Sequence, residues 1–320
     1  MPVSDGLEVI TIGRVGVDLY PEQVAVPLAQ VRSFAKSLGG SPTNVAVAAA
    51  RLGHRSAVIT KVGNDGFGAY VREALAAFGV DARYVGTDPM LRTPVVFCEI
   101  FPPDDFPLLF YREPKAPDLN IEAGELDLDA IARVPILWTC GTALSQEPSR
   151  AATLAALRAA QGTTIHDLDH RAMFWTSAAD ARAQAVDAVR HARVVVGNLD
   201  EVEMATGTRD ADHAAEALLA LGPAIAIVKR GPLGTIARTA TERVDLPPVA
   251  TVVLNGLGAG DAFGGALCHG LLSRWDLART IAFANAAGAL VASRLACADA
   301  MPTIAEVDAL LARDAATVSA

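Results

Sequence analysis

Arg193-Val194-Val195-Val196-Gly197-Asn198 is the stretch whose reading decides the fold. Three consecutive valines leave no polar position for a solvent face, so the run predicts a strand covered on both sides, as in a parallel sheet between helices. Helical period occupies Ser177–His191 before it, and Asn198-Leu199-Asp200-Glu201 follows. Outward from this run the same alternation repeats. Strands are expected at Val9–Gly13, Ala57–Val62, Ile136–Gly141, Thr163–Asp167, Ala224–Lys229 and Thr251–Leu254. Helices are expected at Thr43–Leu52, Gly66–Phe78, Ser149–Ala160, Asp210–Leu221, Gly260–Leu272 and Asp276–Leu295. Right-handed crossovers then bring the loops after the strands to one edge of the sheet, where α/β proteins place their sites.

Two regions break the pattern. Segments 19–38 and 92–112 are extended and Pro-punctuated, with Thr93-Pro94-Val95-Val96-Phe97-Cys98 and Pro107-Leu108-Leu109-Phe110-Tyr111-Arg112 as their clearest runs. They predict a small antiparallel sheet inserted into one domain spanning 1–320, serving as a lid or as the interface of a homodimer, because its strand edges need covering.

The chain has 320 residues, of which 52% are hydrophobic and 20% charged, enough to bury a large core. Its 36 acids outnumber 27 bases, for a formal net charge of -9, which excludes an extended basic stripe and with it a nucleic-acid partner. The lysines are Lys36, Lys61, Lys115 and Lys229, and none follows a glycine, so the lysine-centred phosphate loop is absent. Cys98, Cys140, Cys268 and Cys297 form no CxxC pair, which fits a reducing cytoplasm. The first residues lack the basic and apolar regions of a signal peptide, and Asn285, Arg294 or glycines interrupt the apolar stretches before membrane-spanning length.

A different phosphate device stands at Asn255-Gly256-Leu257-Gly258-Ala259-Gly260-Asp261-Ala262-Phe263-Gly264-Gly265. Small residues let a ligand approach the backbone, and the free N–H groups of a helix's first turn favour an anion. Asp261 in that turn is expected to be ionised and ready to accept a proton, which suits transfer of a phosphoryl group to a hydroxyl.

Five further motifs accompany this one in order: Gly13-Arg14-Val15-Gly16-Val17-Asp18, Gly39-Gly40-Ser41-Pro42-Thr43-Asn44, Val62-Gly63-Asn64-Asp65-Gly66-Phe67-Gly68, Asn198-Leu199-Asp200-Glu201, and Val228-Lys229-Arg230-Gly231-Pro232-Leu233-Gly234. Together, from about residue 8 to 312, they resemble the ribokinase, or PfkB, family of carbohydrate kinases. The resemblance implies a three-layer α/β/α sandwich with a mostly parallel central sheet and a small β-sheet lid. It also implies ATP and Mg²⁺ as cofactors. Asp261 resembles the catalytic base, and the N–H groups of Gly258, Ala259 and Gly260 resemble the anion hole. Asn198 and Glu201 match the pair that organises Mg²⁺ and its waters, although alone they read as a helix cap and a first-turn acid. Lys229, Gly231, Gly234 and Asn285 match the nucleotide side.

Asp18, Gly40 and Asn44 match polyol-binding positions. Tyr111-Arg112 and Asp167-Leu168-Asp169-His170-Arg171 resemble the branch acting on sugar acids, where arginines take a substrate carboxylate in forked geometry. Ser33-Phe34-Ala35-Lys36, Phe106–Glu113 and Cys297-Ala298-Asp299-Ala300-Met301-Pro302-Thr303 narrow the resemblance to kinases of six-carbon keto-deoxy acids. The implied reaction is ATP-dependent phosphorylation of the 6-hydroxyl of 5-dehydro-2-deoxy-D-gluconate, as in myo-inositol catabolism. The alternatives are 2-dehydro-3-deoxygluconate and a ribose- or fructose-like substrate. Many family members carry Asp where this chain has Asn255 and bind a monovalent cation there; the neutral amide argues against strong potassium activation. A zinc site at His166 and His170 with Asp167 and Asp169 lacks a third ligand cluster of recognisable spacing. A dinucleotide fold is disfavoured because residues 13–18 do not complete G-x-G-x-x-G, and intact Asp261, Asn198 and Glu201 disfavour a non-catalytic sugar sensor.

Overall fold

Valines 194 and 196 pack toward one helical layer while Val195 packs toward the other, so the apolar run is buried from both sides as expected. The structure is a computed structural model and describes residues 6–318. Its strands are β1 (Val9–Ile12), β2 (Gly16–Pro21), β3 (Phe34–Gly39), β4 (Ser56–Gly63), β5 (Val85–Asp88), β6 (Val95–Cys98), β7 (Leu108–Tyr111), β8 (Ile136–Cys140), β9 (Thr163–Asp167), β10 (Val194–Asn198), β11 (Ile225–Lys229), β12 (Thr235–Arg238) and β13 (Arg243–Leu246). Its α-helices are α1 (Ser41–Arg51), α2 (Gly66–Ala77), α3 (Leu128–Arg133), α4 (Ser149–Ala159), α5 (Ala178–Val189), α6 (Leu199–Thr206), α7 (Ala211–Ala220), α8 (Ala259–Leu272), α9 (Leu277–Ala292) and α10 (Ile304–Val318).

The nine-stranded sheet runs β13-β12-β11-β10-β9-β8-β1-β4-β5. It is parallel from β11 to β5, and β12 and β13 close it as an antiparallel hairpin. Helices α1, α2, α8 and α9 cover one face and α3 to α7 the other, giving the three layers. Alanine richness has a packing reason. Ala46, Ala48 and Ala49 of α1 and Ala262 and Ala266 of α8 are all buried, and short side chains let these helices approach closely.

The second sheet, β3-β2-β6-β7, is built from the two regions that broke the alternation. One expectation is corrected. The β2–β6 pair, Val17↔Val95 to Leu19↔Phe97, is parallel, so the sheet is mixed rather than antiparallel. Each hairpin is local, but joining them in one sheet spans the whole of α1, β4, α2 and β5, which frees the central pair from antiparallel geometry. Residues Thr251–Leu254 form no strand; Leu254 and Asn255 instead donate N–H groups to the Ala292 carbonyl. Short strands β5, β12 and β13 were missed because four residues carry too little periodicity.

The C-terminal ends of β1, β8, β9, β10 and β11 deliver Arg14, Thr142, Asp167 with Asp169, Asn198 and Lys229 to one edge. The small sheet stands over that edge, with Leu108 and Phe110 of β7 lining the intervening cleft.

Candidate active site

Between the sheet edge, the small sheet and the start of α8 lies a cleft of ≈ 230 Å³. Ten residues expected at the site line it: Asp18, Gly40, Asn44, Arg171, Asn198, Glu201, Lys229, Gly258, Gly260 and Asp261. Residues more than 200 positions apart in sequence meet here, Asn44 donating from Nδ2 to Asp261 Oδ2 at 2.8 Å.

Two glycines are dictated by geometry. Gly258 caps α8 with φ +82°, and a Cβ there would lie 2.7 Å from Cys297 Sγ. Gly40 has φ +101°, and its Cβ would lie 2.4 Å from the Arg14 carbonyl oxygen. Both turns need a residue without a side chain.

Asp261 differs from the expectation of a carboxylate stabilised in its charged form. Burial raises its pKa above the ordinary carboxylate value, and hydrogen bonds from Asn44 and Ser41 oppose the rise only in part. This improves a general base, whose affinity for a proton should approach the working pH. Asp18, half-buried near Asp261, is pushed up to about 7, by burial foremost. The Oδ1 atom of Asn44 is enclosed and has no hydrogen-bond partner, so the site holds an acceptor for a donor that a sugar hydroxyl can supply.

At the other end, Asn198 and Glu201 form a capping box: Asn198 N–H donates to Glu201 Oε2 at 2.7 Å and Glu201 N–H to Asn198 Oδ1 at 3.0 Å. The structural reading of the N-x-x-E pattern therefore holds, while both residues also line the cleft. Glu201 is buried, and desolvation raises its pKa against the pull of Lys229. No group of three or more His, Cys, Asp or Glu side chains among the described residues converges as a metal cage. The donors fit Mg²⁺ held largely by water and phosphate oxygens, with Asn198 and Glu201 as outer partners, because Mg²⁺ keeps much of its water shell. His166 is enclosed, bonded through Nδ1 to Thr139 Oγ1 at 2.9 Å and lowered to about 4 by desolvation, a core histidine and no zinc ligand.

Lys229, matched only to a nucleotide side, extends into the middle of the cleft. Its Nζ lies 4.0 Å from Asp167 Oδ2 and within 3.2 Å of where a Cβ on Gly260 would stand. The remaining nucleotide-side residues sit apart from the cleft. Gly231 and Gly234 bound the β11–β12 turn, and Asn285 accepts from Thr235 Oγ1 at 2.7 Å, tying α9 to β12. Tyr111 and Arg112 do not enter the cleft either. Tyr111 is exposed and packs edge-on against Phe97, and Arg112 pairs with buried Asp118 at 2.6 Å. The alternation of β7 explains Tyr111, since Leu108 and Phe110 take the inward positions, whereas Arg112 lies just past the strand end and is held by Asp118.

Asn255 is fully buried and both ends of its amide are engaged. Nδ2 donates to the Leu295 carbonyl at 2.5 Å, and Oδ1 accepts from Leu257 N–H at 3.0 Å. The donor end of the amide therefore occupies the Leu295 carbonyl.

Residues 7–304 match the family model described as pfkB family carbohydrate kinase. The chain belongs to this family of carbohydrate kinases. A 5-dehydro-2-deoxygluconokinase of Geobacillus kaustophilus is 32% identical over 311 residues, covering 94% of this kinase and 92% of the relative. Among solved structures, a ribokinase II of E. coli in complex with ATP and Mg²⁺ superimposes with a TM-score of 0.87 at 24% identity, covering 96% of this chain and 99% of that one. A double-mutant fructokinase of Vibrio cholerae O395 with fructose, ADP and potassium ion bound does so with a TM-score of 0.86 at 28% identity, covering 96% and 99%.

Sequence reasoning misses three charged residues of this kinase's cleft. Arg14 reads only as part of a motif, and Asp167 and Asp169 only as part of a substrate segment and of a disfavoured zinc site. Arg14 is buried, with Nη2 3.2 Å from Asp169 Oδ2; Arg171 Nη2 approaches the other oxygen of Asp169 at 3.3 Å. Asp169 also has φ +26°, uncommon for a residue with a side chain. Its pKa is held well below the carboxylate range by Arg14 and Arg171, which outweigh its desolvation, whereas Asp167 is raised to about 6 by burial. A charged residue directly after a buried strand was the available signal at position 14.

Proposed function

We propose that this kinase transfers the γ-phosphoryl group of ATP to the 6-hydroxyl of 5-dehydro-2-deoxy-D-gluconate. The observation that carries the reading is Asp261, a carboxylate of raised proton affinity in the first turn of α8, beside the unpartnered acceptor of Asn44 and the glycine turn 256–260. In this reading Asp18 and Asn44 hold substrate hydroxyls, and Asp261 takes the proton of the attacking hydroxyl. The N–H groups of Gly258, Ala259 and Gly260 meet the transferring phosphoryl oxygens, with Lys229 adding positive charge beside them. Magnesium bound with the nucleotide would neutralise phosphate charge, with Asn198 and Glu201 holding it through water.

The substrate class is supported by the relative named above and by arginine in the cleft, since an acid entering a protein of net charge -9 needs a local cation. Arg171, one of the two arginines expected to take the carboxylate, lines the cleft, which supports this reading. The proposal includes a single domain over 1–320, a cytoplasmic location and a homodimer through the small sheet. Four buried free thiols and the exposed outer faces of Leu109 and Tyr111 support the last two readings respectively. No helix of the described residues is long and apolar enough to cross a membrane.

The test is ADP release with 5-dehydro-2-deoxygluconate, 2-dehydro-3-deoxygluconate, ribose and fructose. The first should give the highest kcat/KM, and Asp261→Asn should lower kcat by about 10²–10⁴-fold with ATP binding retained. Preference for another sugar refutes the substrate, and an active Asp261→Asn variant refutes the base.

A further inference from the structure

We propose that Arg14 selects the sugar acid, its unengaged Nη1 end taking the substrate carboxylate. The inference rests on the sugar-acid reading above and assigns its recognition to a residue outside the expected pair. Arg14 lines the cleft together with Asp18, Asn44 and Asp261, and it is near enough to both carboxylates to interact with their charges. Its backbone is clamped, with Thr43 Oγ1 donating to its carbonyl at 2.9 Å. The guanidinium is fixed along one edge, Nε donating to Thr142 Oγ1 at 3.2 Å and Nη2 to Asp169 Oδ2 at 3.2 Å. Nη1 has no hydrogen-bond partner among the described residues, and it is not one of the fully enclosed unpartnered atoms.

Charge points the same way. Asp169 is shared, with Arg14 on one oxygen and Arg171 on the other. Arg171 also reaches Glu201 Oε1 at 3.5 Å, whereas Arg14 shares Asp169 and has no carboxylate to itself, which an incoming carboxylate would provide. The Phe110 ring, 5.9 Å from the guanidinium carbon, shields it from solvent on the small-sheet side, where a charged hydrogen bond is stronger than in water. Arg112, by contrast, is already matched one to one with Asp118 outside the cleft. A planar guanidinium held along one edge offers its other end in a fixed direction, which a flexible ammonium cannot do.

The experiment compares 5-dehydro-2-deoxygluconate with its primary carboxamide in the full-length kinase and in Arg14→Met, Arg14→Lys and Arg112→Met. Arg14→Met should raise KM for the acid by about 10- to 100-fold, the worth of one charge-assisted hydrogen bond. KM for the carboxamide and for ATP should change by less than about threefold, a small fraction of that same bond. Arg14→Lys retains the charge beside Asp169 and keeps the test available if the methionine variant melts early; it should also lose acid-over-amide preference. Equal losses on acid and amide would show a purely structural arginine and overturn the proposal, as would loss of acid preference in Arg112→Met alone. Failure of the sugar-acid reading is seen separately, as a wild-type enzyme that does not prefer the acid.

Discussion

Replacing Gly258 by alanine should cripple transfer without unfolding the protein, and the size of the loss follows from two geometric facts. At φ +82° the new side chain meets the left-handed penalty, about 1–2 kcal/mol. Its Cβ would also lie 2.7 Å from Cys297 Sγ and 2.9 Å from Cys297 Cβ, an overpacking that costs about 1–3 kcal/mol. Together these displace the turn whose N–H groups are proposed to meet the phosphoryl oxygens. If the whole cost of about 2–5 kcal/mol is expressed in the transition state, kcat falls by about 30- to 5,000-fold, at 1.36 kcal/mol per decade. Steady-state ADP release gives kcat and KM, and a thermal melt separates a displaced turn from a failed fold. Adding Cys297→Gly removes both close atoms and leaves Cα at 3.1 Å. The double variant should therefore recover the steric share, about one to two decades, while the backbone share persists. A single variant with wild-type kcat refutes the role of the turn, and a double variant without recovery refutes the steric argument.

Turnover should be the same within about twofold in potassium chloride and in choline chloride, because the Asn255 amide already occupies the Leu295 carbonyl; Asn255→Asp loses that donor, adds a charge and should become potassium-stimulated, and thermal melts in the two salts should show the same contrast. For Asp18, whose folded pKa of about 7 lies above the ordinary carboxylate value, the folded state binds more protons between about pH 4 and 7, so its contribution to stability is lost as pH rises through that window. The melting temperature of Asp18→Asn relative to wild type should rise from pH 5.5 to 7.5, and a constant difference would refute the shift.

The fold was legible because its signals are long or chemically distinctive. Val194 to Val196 announced a strand covered on both faces, and the glycine turn before Asp261 announced a helix start. What escaped depended on long-range packing. The parallel β2–β6 pairing joins segments about 80 residues apart, and no local pattern records its direction. Ten expected site residues reached the cleft because strand ends and helix starts place them there. Tyr111 did not, because the facing of a strand is settled by what its inward side packs against, and Arg112 did not, because past the strand end it pairs with buried Asp118. The proton affinity of Asp261 departs from expectation for a related reason. A helix N-terminus lowers a carboxylate's pKa, but burial raises it, and burial is a property of the assembled cleft.

Arginine placement resolves how a chain of net charge -9 manages two anionic ligands without a lysine-centred loop. Arg14, Arg171 and Lys229 interleave with Asp167, Asp169 and Glu201 at the ends of the parallel strands, each cation within 4.0 Å of a carboxylate. Neither Asp18 nor Asp261 is in ion-pair contact with a cation among the described residues, and both have raised proton affinity. The cleft therefore holds a nearly balanced network of ion pairs and, beside it, two carboxylates of raised proton affinity. An anionic group that enters beside the network meets donors whose partners are shared, and it gains more than it would from an arginine already paired one to one. A hydroxyl that enters beside Asp261, the proposed base, meets a carboxylate whose proton affinity burial has raised. Net charge sets the long-range field, but recognition here is decided within a few ångströms, where the shared Asp169 leaves Arg14 a free end.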